Sequence, residues 1–197
     1  SNGGGDAGIS TLLTQYLVDK KFKVADSLYA IKRSTVFRRH VRFQPIYWLM
    51  MTSVTRKHSD GKFHFGYFER HYFRPKKKNH FDGNIYILTG GNSFSATTLF
   101  IEKLKGQHNV TVIGEETGGG SYGNTAWLIP ELTLPITKLR IGLPKFRMVM
   151  RQDLQKEGRG IMPDIYVSPT PADIRRGIDV KVERVKRMIM QANGFIR

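Results

Sequence analysis

The sequence predicts an α/β fold in which helices cover a mainly parallel core sheet. Two apolar runs, residues 85–88 and 110–113, are typical of strands that are buried on both faces. A segment with helical spacing, 95–104, lies between them. A strand, a helix and a strand in this order form a parallel unit with a right-handed crossover. With 40% hydrophobic and 24% charged residues, the 197-residue chain can bury a core of this kind.

Local patterns predict the remaining elements in chain order. Asp6 is placed to cap a first helix, whose apolar residues recur at helical spacing as far as Leu17. Residues 22–29 alternate between polar and apolar, which favours a half-buried strand. Short strands separated by prolines follow Gly120, and Thr170 with the proline after it predicts the start of a single C-terminal helix.

Positive charge is concentrated in one quarter of the chain. The net charge is +16, and the stretch from Lys32 to His80 holds thirteen Lys and Arg residues against two acidic ones. Aromatic and basic residues alternate there, so we interpret residues 32–81 as a lobe inserted into one domain that spans residues 1–197. Such a composition suits an anionic surface or single-stranded nucleic acid. Because no nucleic-acid-binding motif accompanies it, we expect no nucleic-acid partner.

Composition excludes several kinds of site. The absence of cysteine excludes disulfides, thiolate nucleophiles and zinc–thiolate centres, and the six histidines lack metal-ligand spacing, so we expect no metal or cofactor. No apolar run approaches the ~18 residues of a membrane span. The chain starts in a glycine run without a signal-peptide pattern, and we expect a larger protein of which an upstream part is missing. The oligomeric state stays open.

The best candidate for a chemical site is the junction where Ser95 begins the helix after strand 85–88. A serine there can project its hydroxyl from the edge of the sheet, where free helix N–H groups can stabilise an anion. On this stretch alone, simple capping is the favoured interpretation, because serine is a preferred N-cap residue. The glycine-rich segments 3–5 and 118–120 are, by themselves, more typical of turns than of an anion cradle.

Taken together and in order, four segments resemble the catalytic domain of the C-terminal processing (tail-specific) serine proteases. Relatives of that family include the tricorn core protease and the retinoid-binding protein of the retina. Residues 2–5 resemble the end of the family's D-L-R-x-N-G-G-G segment, and Ser95-Ala96 stands at its S-A position. Residues 112–120 resemble V-I-G-E-x-T-x-G, and residues 157–165 resemble E-G-x-G-I-x-P-D-I. The resemblance implies a crotonase- or ClpP-like protease core.

The resemblance also implies the hydrolysis of peptide bonds in a protein or peptide substrate through an acyl-serine intermediate. Ser95 is then the nucleophile, and the N–H of Ala96, together with one from Gly3 or Gly4, holds the oxyanion. A loop near this site is implied as well, and its residues are Glu116, Thr117 and Gly118. Since most such proteases work outside the cytoplasm, the resemblance implies the periplasm or cell envelope.

The sequence departs from the family at the general base, which a serine hydroxyl needs in order to attack. Tail-specific members have a lysine 25 residues after the serine, where this chain has Gly120. The tricorn-like branch instead uses a histidine upstream of the glycine segment, and here that position would precede Ser1. The same branch orients its histidine with a glutamate that Glu157 matches. His71 and His80 are the nearest alternative bases.

Three classes of function therefore stay open. The first is a tricorn-like serine endopeptidase that is inactive as an isolated fragment. The second is a non-catalytic relative that binds peptides or apolar ligands, which the missing lysine favours and the retained Ser95 opposes. The third is a basic binder of nucleic acid or anionic surfaces, for which heparin retention that falls steeply with salt is the test.

Overall fold

The computed structural model describes residues 2–154 and 157–194, and the chain divides into two compact units. The first unit comprises Ser1–Lys21, Arg74–Ser121 and Gly158–Arg197. The second unit comprises Phe22–Phe73 and Tyr122–Glu157, so it combines most of segment 32–81 with residues from much later in the chain. Among the described residues, no helix has the length and apolar character that a membrane span requires.

Six helices and ten strands are named here in chain order. They are α1 (Ala7–Leu17), β1 (Ser27–Ala30), α2 (Gln44–Val54), β2 (Arg56–Lys57), β3 (Phe63–His64), α3 (Gly66–Arg70), β4 (Ile85–Thr89), α4 (Ala96–Leu104), β5 (Val110–Gly114), β6 (Gly123–Asn124), β7 (Glu131–Thr133), β8 (Arg140–Gly142), β9 (Phe146–Val149), β10 (Ile165–Tyr166), α5 (Pro171–Arg176) and α6 (Val180–Ala192). A 3₁₀ helix spans Arg38–His40.

The first unit contains the predicted parallel sheet. Its strand order is β10-β5-β4, and β4 pairs with β5 from Ile85 opposite Val110 to Thr89 opposite Gly114. The two apolar runs and the helix between them are therefore confirmed as a parallel unit. Ile101 of α4, Val112 of β5 and Ile161 are buried together beside this sheet. Because β4 and β5 run parallel and Thr89 lies opposite Gly114, the carboxyl ends of both strands lie at the same edge of the sheet.

Helix α1 starts where its sequence predicts. The Asp6 carboxylate accepts a hydrogen bond from the Ile9 N–H at 2.8 Å and so satisfies one of the free donors of the first turn. The Ser10 hydroxyl of α1 donates to the Ala96 carbonyl at 2.9 Å. This bond ties α1 to the first residue of α4, so the N-terminal segment is fixed beside the start of that helix.

The second unit is built on antiparallel strands, which the sequence did not predict. Its five-stranded sheet has the order β2-β3-β1-β9-β6, and β7 pairs with β8. Strand β1 begins only at Ser27, later than the predicted start at residue 22, where Phe22 forms an isolated bridge with Phe73. Before Ser27, the adjacent residues Val24 and Ala25 are both buried, so burial does not follow the alternation that the sequence indicated. In the same unit, the Glu69 carboxylate accepts hydrogen bonds from the Leu28 N–H and the His64 ring.

The C-terminal region forms two helices where the sequence predicted one. Thr170 caps α5 in a reciprocal capping box with Asp173. Gly177, with φ of 66°, then ends α5 in the left-handed conformation. Asp179 caps α6 by accepting bonds from the N–H groups of Lys181 and Val182. A C-cap glycine followed closely by an N-cap aspartate is the physical reason for the break.

Replacing Ile101 by alanine is expected to lower the free energy of unfolding by about 2–5 kcal/mol, because the fully buried side chain leaves a cavity. Ile174→Ala removes the same atoms from a side chain that is 66% exposed, so its expected effect is within about 0.5 kcal/mol. Chemical denaturation of both variants measures the difference. Equal losses would contradict the assignment of Ile101 to the core.

Replacing Lys145 by methionine is expected to raise the melting temperature at neutral pH. Burial lowers the pKa of Lys145 from 10.5 to about 8, and its ammonium has no hydrogen-bond partner in the described residues. The unfolded chain holds this proton up to its higher pKa, so the stability of the folded protein rises as pH passes from about 8 to 10.5. Thermal melts of Lys145→Met across this range should have a smaller slope, and an unchanged slope would contradict the assignment.

Candidate active site

Ser95 lies on a strained turn between β4 and α4. Its backbone has φ of 52° and ψ of −123°, a conformation that non-glycine residues rarely adopt. The residue occupies the N-cap position, yet its side chain makes no capping hydrogen bond. The structure therefore differs from the capping that this stretch alone favours. A sharp, strained strand-to-helix turn is the geometry that exposes the nucleophile of many serine hydrolases.

The glycine segment at the N-terminus packs directly against this turn. The Asn2 carbonyl accepts a hydrogen bond from the Phe94 N–H at 3.2 Å, and the Asn2 side chain accepts one from the Gly4 N–H at 2.9 Å. A Cβ on Gly4 would lie 2.7 Å from the Cβ of Ser95 and 3.1 Å from the nitrogen of Ala96. Only a glycine, here with φ of +106°, lets the two backbones approach so closely.

Of the three oxyanion donors implied by the resemblance, Ala96 and Gly4 lie together and Gly3 does not share their surroundings. Ala96 is the buried first residue of α4, and the first N–H groups of a helix lack partners within it. The Gly4 N–H is held by Asn2, whereas Gly3 is exposed, and a Cβ added to it would meet nothing within 4 Å. Ala96 is therefore the donor with the simplest access to an anion at Ser95.

The loop after β5 supports the serine turn from a second side. The Gly119 N–H donates to the Ser93 carbonyl at 2.9 Å. A Cβ on Gly118 would overlap the Gly91 carbonyl and the Phe94 ring, so this position also requires glycine. Sequence reasoning singled out Gly118 but not Gly119, because only the folded loop reveals the contact with Ser93.

Glu116 and Thr117 fix this loop to the Gly160-Ile161 segment. The Glu116 carboxylate accepts a bond from the Gly160 N–H at 2.7 Å and forms an ion pair with Arg159 at 2.8 Å. The Thr117 hydroxyl, in a residue that is 3% exposed, accepts a bond from the Ile161 N–H at 2.8 Å. These contacts give both side chains a supporting role in the loop.

The candidate bases His71 and His80, and Glu157, which the resemblance gives as the residue that orients a histidine base, are divided between the two units. Glu157 is exposed and belongs to the second unit, and His71 of that unit stacks on Tyr67 with ring centroids 4.8 Å apart. His80 belongs to the first unit, where its Nε2 lies 3.4 Å from the Asp82 carboxylate. Gly120 forms an isolated bridge with Gly160. Within the described residues, no side chain is seen in a hydrogen bond with the Ser95 hydroxyl.

A pocket of about 370 Å³ lies beside the candidate oxyanion donors in the first unit. Gly4, Ala96 and Thr97 contribute to one wall. The rest is mainly apolar and includes Ile9, Leu13, Ile87 and Phe100. A volume of this size and an apolar lining are typical of pockets that bind a small organic group.

The family model for peptidase family S41 matches residues 1–167, so the chain belongs to peptidase family S41. This assignment makes it a member of a family of serine-type peptidases and confirms the family that the four motifs indicated. No curated protein matches the chain.

Solved structures share the fold at low sequence identity. A protein from Parabacteroides merdae that is assigned as a peptidase is 20% identical, with a TM-score of 0.59 over 96% of this chain and 49% of its own. Mature CPAF in complex with lactacystin is 17% identical, with a TM-score of 0.64 over 96% of this chain and 42% of its own. A protein from Bacteroides fragilis that is assigned as an S41 protease is 14% identical, with a TM-score of 0.53 over 100% of this chain and 43% of its own. The chain thus spans less than half the length of these structures.

Replacing Gly4 by alanine is expected to lower the free energy of unfolding by about 1–3 kcal/mol, because a Cβ there meets Ser95 and a positive φ strains any other residue. Gly3→Ala is the matched control, since its added Cβ meets nothing within 4 Å. Denaturant titration of both variants tests the contact. A control variant that loses as much stability as Gly4→Ala would refute the proposed close approach.

Proposed function

We propose that this chain is the catalytic part of a serine endopeptidase of the C-terminal processing type, with Ser95 as its nucleophile. One observation carries the proposal. Ser95 stands at a helix N-cap in a strained backbone conformation without making the capping bond that would explain a serine there. Strain of this kind costs about 1–3 kcal/mol and is retained mainly where function requires it. Membership of peptidase family S41 supplies the matching chemistry.

The proposed reaction starts when the Ser95 hydroxyl attacks the carbonyl carbon of a peptide bond and a general base takes its proton. The N–H of Ala96, at the positive end of α4, stabilises the resulting oxyanion. Collapse of this intermediate breaks the C–N bond, and the protonated base gives its proton to the leaving amine. Water then attacks the acyl-serine while the base takes a proton from it; the C–O bond to Ser95 breaks, the acid leaves, and the base returns the proton to the Ser95 oxygen. The Gly4 N–H is a second oxyanion donor once it exchanges its bond to Asn2 for one to the substrate.

We further propose that the general base comes from a longer form of the protein, as in the tricorn-like branch with its upstream histidine. The chain covers at most half of the solved structures that it matches, and Gly120 replaces the lysine of the other branch. Glu157 is the proposed partner that orients this histidine. No described side chain is hydrogen-bonded to the Ser95 hydroxyl, and this observation supports a base from outside these residues.

The proposal also covers the architecture, the location and the substrate that the sequence led us to expect. We propose a crotonase- or ClpP-like core around the parallel sheet, with segment 32–81 as an inserted lobe, and a location in the periplasm or cell envelope. The apolar pocket beside Ala96 favours an apolar side chain of a protein or peptide substrate at that position. A relative that kept the fold only to bind peptides would have no need of the strained Ser95.

Fluorophosphonate labelling followed by mass spectrometry tests the nucleophile without knowledge of the substrate. In the longer protein, we expect the adduct on Ser95 and its complete loss in Ser95→Ala, because such probes react with activated serines only. Ser34→Ala is the matched control, since the Ser34 hydroxyl is exposed and donates to the neighbouring carbonyl of Thr35. In the 197-residue chain alone, labelling would place the base within these residues. A longer protein that carries no adduct on Ser95 would contradict the proposal and favour the binding relative.

A further inference from the structure

We infer that Lys181, on the C-terminal helix α6, is a positioning residue that fixes the base of the turn carrying Ser95. Its ammonium group donates to the Thr89 carbonyl at 2.9 Å and to the Glu115 carboxylate at 2.8 Å. Thr89 ends β4, and Glu115 directly follows β5. One side chain therefore joins α6 to the carboxyl ends of two adjacent parallel strands, β4 and β5. The significance of this contact for catalysis rests on the proposed function, but the contact itself does not.

The surrounding backbone is shaped to admit this lysine. A Cβ on Gly90 would lie 2.9 Å from the Lys181 nitrogen. A Cβ on Gly114, which has φ of +130°, would lie 3.1 Å from the Lys181 Cδ and would overlap the Thr89 carbonyl. Glycines thus stand at the two positions where a side chain would displace the lysine. The arrangement is a built site rather than a chance contact of a flexible surface chain.

The Thr89 carbonyl depends on the lysine for one of its two hydrogen bonds. The Glu115 N–H donates to the same oxygen at 3.2 Å, and Thr89 is only 2% exposed. A carbonyl oxygen has two lone pairs, so the two donors satisfy it fully. Removing the ammonium leaves a sheltered acceptor with one partner and a carboxylate without its cation, and both changes weaken this edge of the sheet.

The carboxylate in this cluster is held in its charged form. Hydrogen bonds from Lys181, and then from Ser168 at 3.0 Å, lower the pKa of Glu115 below its usual value. The side chains of Lys181 and Glu115 are 19% and 34% exposed, so water screens this pair less than a fully exposed one. The pair of Lys186 and Glu183 on the same helix is more exposed, at 57% and 46%.

A short hydrogen-bonded path leads from the lysine to the candidate nucleophile. Immediately after Thr89, the Gly90 carbonyl accepts a bond from the Ser93 N–H at 2.9 Å, and Ser93 is 1% exposed. The Ser93 carbonyl in turn accepts the Gly119 N–H, and Phe94 and Ser95 follow. Ser95 follows Thr89 by six residues, so movement of the chain at Thr89 and Gly90 changes the position of Ser95. Lys181 fixes the start of this path through its bond to the Thr89 carbonyl.

Hydrogen exchange measured by mass spectrometry tests the inference without requiring activity. Lys181→Met keeps the length of the side chain but removes the donor, and we expect amide exchange in segment 90–95 to rise about tenfold or more. Lys186→Met is the matched control and should leave that segment unchanged. Lys181→Arg keeps a cationic donor and should restore most of the protection. Exchange in segment 111–113 of β5 reports general loss of stability and should change less.

The inference is overturned if Lys181→Met and Lys186→Met exchange alike in segment 90–95, or if exchange in Lys181→Met rises equally throughout the first unit. Where wild-type Ser95 reacts with fluorophosphonate, we also expect Lys181→Met to react at least about tenfold more slowly while the fold is kept. Labelling of Lys181→Met at the wild-type rate would overturn the positioning role. A wild-type protein that never labels would instead refute the proposed nucleophile, and the exchange data would still decide whether Lys181 fixes the turn.

Discussion

The first unit depends on a turn that a serine adopts only under constraint. Between the end of β4 and the start of α4, the chain reverses through Ser95 with φ of 52°, a conformation that is unfavourable for a residue with a side chain. The conformation persists because neighbouring backbone groups hold the residues before it. Asn2 accepts the Phe94 N–H, and Gly119 donates to the Ser93 carbonyl. The N-terminal segment and the loop after β5 are thus both required for the geometry of one residue.

Glycines make these contacts possible by letting backbone approach backbone. Gly4 lies against Ser95, Gly118 against Gly91, and Gly160 against Thr117, each at a distance that a Cβ would obstruct. Segments that are far apart in sequence therefore meet through main-chain hydrogen bonds, which fix positions more firmly than flexible side chains do. Gly4, Gly118 and Gly160 lie in segments 2–5, 112–120 and 157–165, which carry the resemblance in sequence. The geometry of the serine turn therefore depends on these glycines as well as on Ser95.

A charged side chain also supports the serine turn, at the point where the turn leaves β4. Lys181 reaches the Thr89 carbonyl and the Glu115 carboxylate at the edge where the parallel strands end. A polar cluster placed there can hold the start of the serine turn, and the other end of the turn is the N-terminus of α4, where helix N–H groups lack partners within the helix. Within the described residues, no side chain is hydrogen-bonded to the Ser95 hydroxyl.

The sequence by itself determined the parallel unit, the caps at Asp6 and Thr170, and the family, because buried apolar runs, capping residues and glycine motifs are local signals. It did not determine that Ser95 leaves its cap unmade, since serine is a good cap in most contexts, and the contacts of Gly4 with Ser95 and of Gly119 with Ser93 exist only in the folded chain. Nor did it reveal the antiparallel unit, whose strands are two to four residues long, too short for a clear period. Lys181 belongs to none of the motifs found in the sequence. Tertiary structure alone decided its role, because the contact joins residues 92 positions apart and depends on the absence of side chains at two glycines.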